Sequence, residues 1–467
     1  MRIWVIARKK FKFKGREFAR VFFDKKIIKS RLIFNNKEKI LEIKTPEKEK
    51  INQRQAVLIA RQIIVLAKKY GVKKIALDWR KIKDFGFKNK KDIAKVLAVN
   101  FEMANYEFIK YKKVPRGGWN FVEEVVFITE DGESADLTRE IKRGQLTGKH
   151  VNKARELSNT PGGEMTPELL AGEIKKSAKN TKVKVKILEE ADMRKLSMGA
   201  VLGVARGSME KPKFIILEYA GKREKNPIVL IGKGVTFDSG GLNLKPDDNM
   251  NEMHRDMSGG AAVAFAVILA AKMGIKKRII GLIPAVENMP SGESLRPNDI
   301  LKSMSGKTIE VQNTDAEGRV ILADALTYAE RYNPRLVIDV ATLTGASLIT
   351  LGEKASVIIS KDEKLIENVK KLGEESGDYV WPLPLWEEYE KEVKGVFADV
   401  CNLRNQGNTK YAGSILGGAF LYEFAKKFPK WLHIDMGSRD HASYDEFLSK
   451  GAAGAPVRLL IKLLEEY

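Results

Sequence analysis

From about residue 150 onward the chain alternates short apolar runs of strand length with stretches of helical period, and one of those helices has no polar face. Residues 258–273 are apolar almost all round, so that helix must be buried on every side. The strand-like runs around it cover 182–188, 213–220, 227–231, 278–285, 335–341, 355–360 and 431–436. A helix over 166–178 begins with Thr166 as N-cap and Pro167 at the first helical position. Strand–helix alternation sustained over about 300 residues implies an α/β fold with a mainly parallel, helix-covered sheet.

The first 150 residues differ in character. Ile3, Val5, Phe11, Phe13, Val21 to Phe23 and Leu32 to Phe34 read as short strands set among lysine and arginine. Phe11 and Phe13, two apart, fall on the core face of one strand. A helix over 53–70 is stopped by Gly71, a strand follows at 74–78, a second helix at 91–110 and a strand at 122–129. Asp131-Gly132 signals a turn, and 136–157 reads as a long connecting helix broken at Asn159-Thr160-Pro161-Gly162-Gly163. The expected organisation is a small α/β domain over 1–150 and a larger domain over 151–467. Charge divides the same way: residues 1–150 hold 38 Lys and Arg against 18 Asp and Glu, or +20 of the net +22.

Several classes are set aside early. No apolar run approaches the ~18–20 residues of a membrane span, and the apolar stretch near Met1 is too short for a signal peptide. A single cysteine, Cys401, excludes an intrachain disulfide and a cysteine-based zinc site. These features lead us to expect a cytoplasmic protein without a membrane partner.

The chemistry gathers in two places. In Asn313-Thr314-Asp315-Ala316-Glu317-Gly318-Arg319, Asp315 and Glu317 are two apart, so an extended backbone would aim both carboxylates to one side. Like charges held together require a proton or a cation between them. Helical spacing then starts at Gly318-Arg319, which puts free backbone N–H groups and a guanidinium beside the carboxylates, an anion seat next to a cation seat. Upstream, the strand at 227–231 runs into a glycine-rich loop carrying Lys233, Asp238 and Lys245, and Asp256 follows just before the buried helix. Ligands in open α/β sheets sit past the carboxyl ends of strands, where Lys233 and Asp238 fall. Neither nucleotide-binding glycine motif is present. The four histidines, His150, His254, His433 and His441, lack ligand spacing, and His254 is read as structural. Four carboxylates, Asp238, Asp256, Asp315 and Glu317, offer the oxygen ligands that divalent cations take.

Gly232-Lys233-Gly234-x-Thr236-Phe237-Asp238-x-Gly240-Gly241, Lys245-Pro246, Met253, Asp256 and Asn313 to Arg319 together resemble the leucine aminopeptidase (cytosol aminopeptidase) family of dinuclear metallopeptidases. The likeness runs from about residue 150 to the C-terminus and includes Ala341-Thr342-Leu343-Thr344-Gly345 and Gly454-x-Pro456-Val457-Arg458-Leu459-Leu460. It does not extend to the first 150 residues. It implies hydrolysis of N-terminal residues, Leu and other apolar ones above all, from peptides. It implies two metal ions, Mn²⁺ or Zn²⁺, with Asp238 and Glu317 bridging both. Lys233, in its neutral form, and Asp256 would complete one site, and Asp315 with a backbone carbonyl the other. Lys245 would polarise the scissile carbonyl, and Arg319 would hold a bicarbonate that shuttles the proton. Met253 and Thr342 would line the pocket for the terminal side chain. The family forms homohexamers, so the resemblance implies that assembly too. Departures are small: Val320 stands where leucine is usual, and Asp247-Asp248-Asn249 is a polar variant of a variable loop.

Two other readings were weighed. A two-metal phosphoesterase would also use clustered carboxylates. A nucleic-acid-binding protein would act through the basic residues 1–100, but no helix-turn-helix or comparable signature occurs there. Only weak, sequence-indifferent retention of nucleic acid is expected.

Overall fold

The computed structural model describes residues 1–7, 17–35, 38–83, 85–86, 90–130, 133–221, 224–405, 407 and 411–467. Phe11, Phe13 and the Asp131-Gly132 turn lie outside them. The chain forms two compact units, Met1–Asn152 with Ala442–Lys450, and Lys153–His441 with Gly451–Tyr467.

The first unit is built on a six-stranded sheet in the order Arg2–Ala7, Glu124–Thr129, Lys74–Asp78, Ala19–Asp24, Glu38–Lys44, Arg31–Asn35. Every pairing is parallel except the last, which is antiparallel. Helix Gln53–Lys69 is secured by a reciprocal cap in which Asn52 and Gln55 each accept the other's backbone N–H. The second helix, expected to reach residue 110, stops at Asn105. There the Asn105 amide both donates to and accepts from the backbone of Val122, at 2.9 Å each way, which turns the chain out of the helix. The long helix runs Ser134–Asn159, two residues beyond the expected span at either end.

The second unit holds the larger sheet, in the order Val380–Pro382, Ser356–Ile359, Trp431–Asp435, Leu336–Ala341, Ile228–Gly232, Arg278–Asn288, Lys213–Ala220, Val183–Leu188. The four central strands, Trp431–Asp435 through Arg278–Asn288, pair parallel, and antiparallel pairings flank them. The first three of these four are buried at every residue, as sheets covered on both faces require. Two expectations change here. The strand expected to end at 285 continues to Asn288. The stretch after Gly232, read from sequence as a loop, includes a further strand, Gly234–Asp238, parallel to the end of Arg278–Asn288 with a register shift between Val235 and Phe237. The shift bends the strand and re-aims its last side chain, Asp238.

Helix Ser258–Met273 is buried from Ser258 to Ala270, as its all-round apolar surface demands. It presses against the ends of the parallel strands. A Cβ on Gly259 would stand 2.2 Å from the Val340 carbonyl oxygen, so only glycine permits this approach. Helix Gly199–Ala205 has no side-chain cap of its own. Asp324, fully buried on helix Glu317–Ala329, supplies it: Oδ2 accepts from Ala200 and Val201 N–H at 3.0 Å, and Oδ1 from Met304 N–H at 2.7 Å. Burial pushes this carboxyl up to about 7 despite the three N–H groups. Asp324→Ala is expected to strand those donors and lower unfolding stability by about 1–3 kcal/mol, read from denaturant titration. Unchanged stability would show that water replaces the carboxylate.

Candidate metal centre

The parallel strands deliver the site residues to one edge. Ile228–Gly232 ends immediately before Lys233, Gly234–Asp238 ends at Asp238, and Leu336–Ala341 ends immediately before Thr342. Lys233 is held on both sides of its backbone: its N–H donates to Val340 O at 3.0 Å, and its carbonyl accepts from Gly260 N–H, at the start of the buried helix, at 2.7 Å. Asp256 ends the short turn Met253–Arg255 just before that helix. Its Oδ1 accepts from Thr342 Oγ1 at 2.6 Å, so Thr342 orients a carboxylate as well as facing the cavity.

Asp315 and Glu317 converge with Asp238, but not as an extended segment. Residues 313–316 form a turn, in which Asn313 Oδ1 accepts from Asp315 N–H at 2.8 Å and Asn313 O accepts from Ala316 N–H at 3.2 Å. The helix then opens at Glu317, one residue earlier than expected. The turn brings carboxylate oxygens of Asp238, Asp315 and Glu317 within 4.8 Å of one another. Sequence spacing thus located the pair correctly on the wrong backbone, because the asparagine side chain closes a turn that a strand pattern does not register.

Two lysines divide the four carboxylates. Lys233 Nζ lies 2.7 Å from Asp256 Oδ2 and 2.8 Å from Glu317 Oε1, and donates to Thr342 O at 3.0 Å. Lys245 Nζ lies 2.8 Å from Asp238 Oδ2 and 2.5 Å from Asp315 Oδ1. Burial pulls each ammonium's pKa down, but the surrounding carboxylates outweigh it and the net direction is up. Burial, with the neighbouring Asp238, pushes Glu317, Asp256 and Asp315 up. Gly318 is required where it stands, since a Cβ there would be 2.6 Å from Lys233 Cε.

Four carboxylates against two ammonium groups leave a buried excess of negative charge. The oxygens tell the same story. Asp256 Oδ2, Asp315 Oδ1 and both Glu317 oxygens are buried without a hydrogen bond, although three of them lie at ion-pair distance from a lysine. Of these four oxygens, Glu317 Oε2 alone has neither a hydrogen bond nor a lysine at ion-pair distance among the described residues. Oxygen ligands in excess, buried and converging, fit hard divalent cations.

The sequence overlooked what positions these ligands. Asn288 Nδ2 donates to Asp238 Oδ1 at 2.8 Å and to Thr314 O at 3.0 Å, tying the two clusters together. It lay beyond the expected strand end, and no motif marked it. Thr314 Oγ1 donates to Gly240 O at 2.6 Å, and Asn243 Oδ1 accepts from Thr314 N–H at 2.8 Å. Asn402, after strand Val400–Cys401, accepts from Gln312 and Asn313 N–H and donates to Asn313 O at 2.7 Å.

A cavity of about 400 Å³ opens over the cluster, with Lys233, Asp238, Lys245, Met253, Asp315 and Thr342 among its lining. Asp256 also lines it, but Glu317 and Arg319 lie behind the wall. Arg319 is buried, donates from Nη1 to Asn402 O at 3.0 Å, and leaves Nε without a partner. Burial brings the guanidinium down to about 10, against the pull of Asp435 and Glu317. His441 borders the cavity, bridging Asp440 at 2.5 Å and Glu353 at 3.2 Å, whereas His254 does not. His433 is a core residue beside Asp339.

Comparison with known proteins agrees with this geometry. The family described as the cytosol aminopeptidase family, catalytic domain, matches residues 152–461. A probable cytosol aminopeptidase from Azoarcus sp. (strain BH72) is 45% identical over 342 residues, 73% of this chain and 67% of that protein. Another, from Nitrosococcus oceani, is 48% identical over 326 residues, 69% of this chain and 64% of its own length. The aligned region thus spans about two thirds of these relatives. Among solved structures, the bottromycin maturation enzyme BotP in complex with Mn superposes with a TM-score of 0.85 at 27% identity, covering 97% of this chain and 99% of that one.

Asn288 touches no cation site directly, yet it orients Asp238 and the turn that carries Asp315. Asn288→Ala is expected to weaken Mn²⁺ binding by roughly 10–100-fold, the usual cost of removing a group that orients a ligand, with the fold retained by circular dichroism. Calorimetric titration with Mn²⁺ checks it, and an unchanged affinity would remove Asn288 from the site.

Proposed function

Because the chain belongs to the cytosol aminopeptidase family, and is thereby a metal-dependent aminopeptidase, we propose that it removes single apolar residues, leucine foremost, from the free amino end of peptides. The observation that carries the reading is the set of four carboxylates, three buried and Asp315 partly open, gathered around Lys233 and Lys245 beneath one cavity, with Glu317 Oε2 left without a partner among the described residues. Asp238 and Glu317 would bridge two divalent ions, Mn²⁺ or Zn²⁺. Asp256 with Lys233, neutral once the ion displaces the ammonium proton that the carboxylates otherwise keep there, would hold one of them, and Asp315 the other. When bound, such a pair polarises the scissile carbonyl and makes water acidic enough to attack at neutral pH.

The remaining steps belong to the chain's own side chains. Lys245 reaches the cavity floor with its charge kept by Asp238 and Asp315. It donates a hydrogen bond to the carbonyl oxygen and strengthens that bond as negative charge develops there. Arg319 is a buried cation with an unused N–H and no carboxylate partner among the described residues, which favours a small anion beside it. Bicarbonate is the anion we assign to that seat. Met253 and Thr342 receive the terminal side chain, and a cavity near the lower end of ligand-site volumes, about 300–1,000 Å³, favours one residue at a time.

We further place the protein in the cytoplasm as a homohexamer acting on peptides. One stretch among the described residues, 247–273, is long and apolar enough to cross a membrane, and 83% of its most apolar window is buried inside the unit. Nucleic acid is not assigned as a partner.

The test is a panel of aminoacyl-p-nitroanilides assayed after chelation and after Mn²⁺ reloading. Leucine and methionine amides should be cleaved in a metal-dependent manner and p-nitrophenyl phosphate left intact. Phosphatase activity instead would favour the phosphoesterase reading. Metal analysis should return two ions per chain, and Glu317→Ala should lose both ions and turnover; a single ion, or an active variant, would refute bridging. Lys245→Ala should keep its metal and lose roughly 10²–10³ in kcat. Loss of metal as well would make Lys245 a ligand.

A further inference from the structure

The first unit carries a groove that the peptidase chemistry does not use. It has a volume of about 670 Å³ and lies between the segment Lys26 to Arg31, the end of helix Gln53–Lys69, and Phe447. Four cations line it, Lys26, Lys29, Arg31 and Lys69, and no carboxylate does. Arg31 is paired with Glu42 at 2.9 Å. The three lysines are exposed and form no ion pair among the described residues, and Lys69 stands over the Tyr70 ring. Between these charges the floor is apolar: Ile28 is 92% exposed, Val65 and Tyr70 are partly open, and Ile27 and Leu66 lie beside them.

Phe447 adds an independent sign. It holds φ +54°, a left-handed conformation that an aromatic residue seldom adopts. The preceding carbonyl, Glu446 O, accepts from the buried Arg61 Nη1 at 3.2 Å, and Arg61 Nε is fixed on Asn100 Oδ1 at 2.8 Å. The segment is therefore anchored from beneath while strain is spent placing a ring in the groove wall. Strain of this kind persists where surrounding structure over-determines it, and it gathers at ligand clamps.

We propose that this groove docks an acidic, aliphatic peptide segment of a partner protein. Its carboxylates would meet Lys26, Lys29 and Lys69, and its apolar side chains would cover Ile28, Val65 and Phe447. Charge complementarity selects the sign of the partner. The aliphatic floor selects peptide over nucleic acid, because bases need exposed rings to stack on and the two rings here, Tyr70 and Phe447, are only partly open. Such a surface would bring a partner to the enzyme without entering the catalytic cavity.

The experiment uses the full-length protein and a fluorescein-labelled peptide alternating Glu with Leu, N-acetylated so that it cannot be trimmed. Fluorescence anisotropy at about 0.15 M salt, where exposed charges more than ~8 Å apart are largely screened, should show saturable binding. Reversing Lys26, Lys29 and Lys69 together to Glu should weaken it at least about tenfold, since three exposed attractions become repulsions. Ile28→Asp should weaken it as well, and both variants should cleave Leu-p-nitroanilide at the unaltered rate. Absence of saturable binding, indifference to these substitutions, or equal affinity for polyglutamate would overturn the proposal. An oligothymidylate that binds more tightly and displaces the peptide would overturn it in favour of nucleic acid.

Discussion

Desolvated like charge is the constraint on which the catalytic unit turns. Asp256 and Glu317 are almost completely buried, Asp238 equally so, and Asp315 only partly open. Removing carboxylates from water without compensation costs several kcal/mol each. The surrounding architecture limits that cost. Parallel strands end together and present their residues at one edge, Lys233 and Lys245 supply the positive charge nearest to hand, and Asn288 and Thr342 hold the carboxylates in place. The demand for further positive charge remains, and it is the physical reason for a metal-dependent site.

The same economy explains the close packing behind the site. Helix Ser258–Met273 can support Lys233 only because Gly259 lets it touch strand Leu336–Ala341, and helix Glu317–Ala329 can start beside Lys233 only because Gly318 has no side chain. Each glycine trades local rigidity for contact between elements distant in sequence. Asp324 does the complementary work farther along the same helix, satisfying donors that belong to other elements.

Much of this was legible beforehand. The all-round apolar helix and the apolar strands announced a covered sheet, and Asp315, Glu317, Asp238, Asp256 and Lys233 stood out by type and position, whereas Lys245 was named only through the family resemblance. Unreadable were the features that depend on side chain to backbone hydrogen bonds. Asn313 turned an expected extended segment, Asn105 ended a helix five residues early, and Asn288 and Asn402 worked at strand ends without a motif. Asparagine serves turn, cap and bridge with one side chain, so its identity alone does not say which. Arg319 was read as part of an anion seat next to the carboxylates, and the sequence did not show that its guanidinium is held by the Asn402 carbonyl.

The order of strands in the larger sheet has a bearing on what holds the site in place. Strand Trp431–Asp435 inserts between two strands that precede it in sequence, Ser356–Ile359 and Leu336–Ala341. Its Asp435 accepts from the N–H groups of Leu343 and Thr344, next to the Thr342 that steadies Asp256. The segment that steadies Asp256 is therefore tied to a residue 92 positions away in sequence, so the geometry around that carboxylate depends on long-range closure of the sheet and not on the local motif alone.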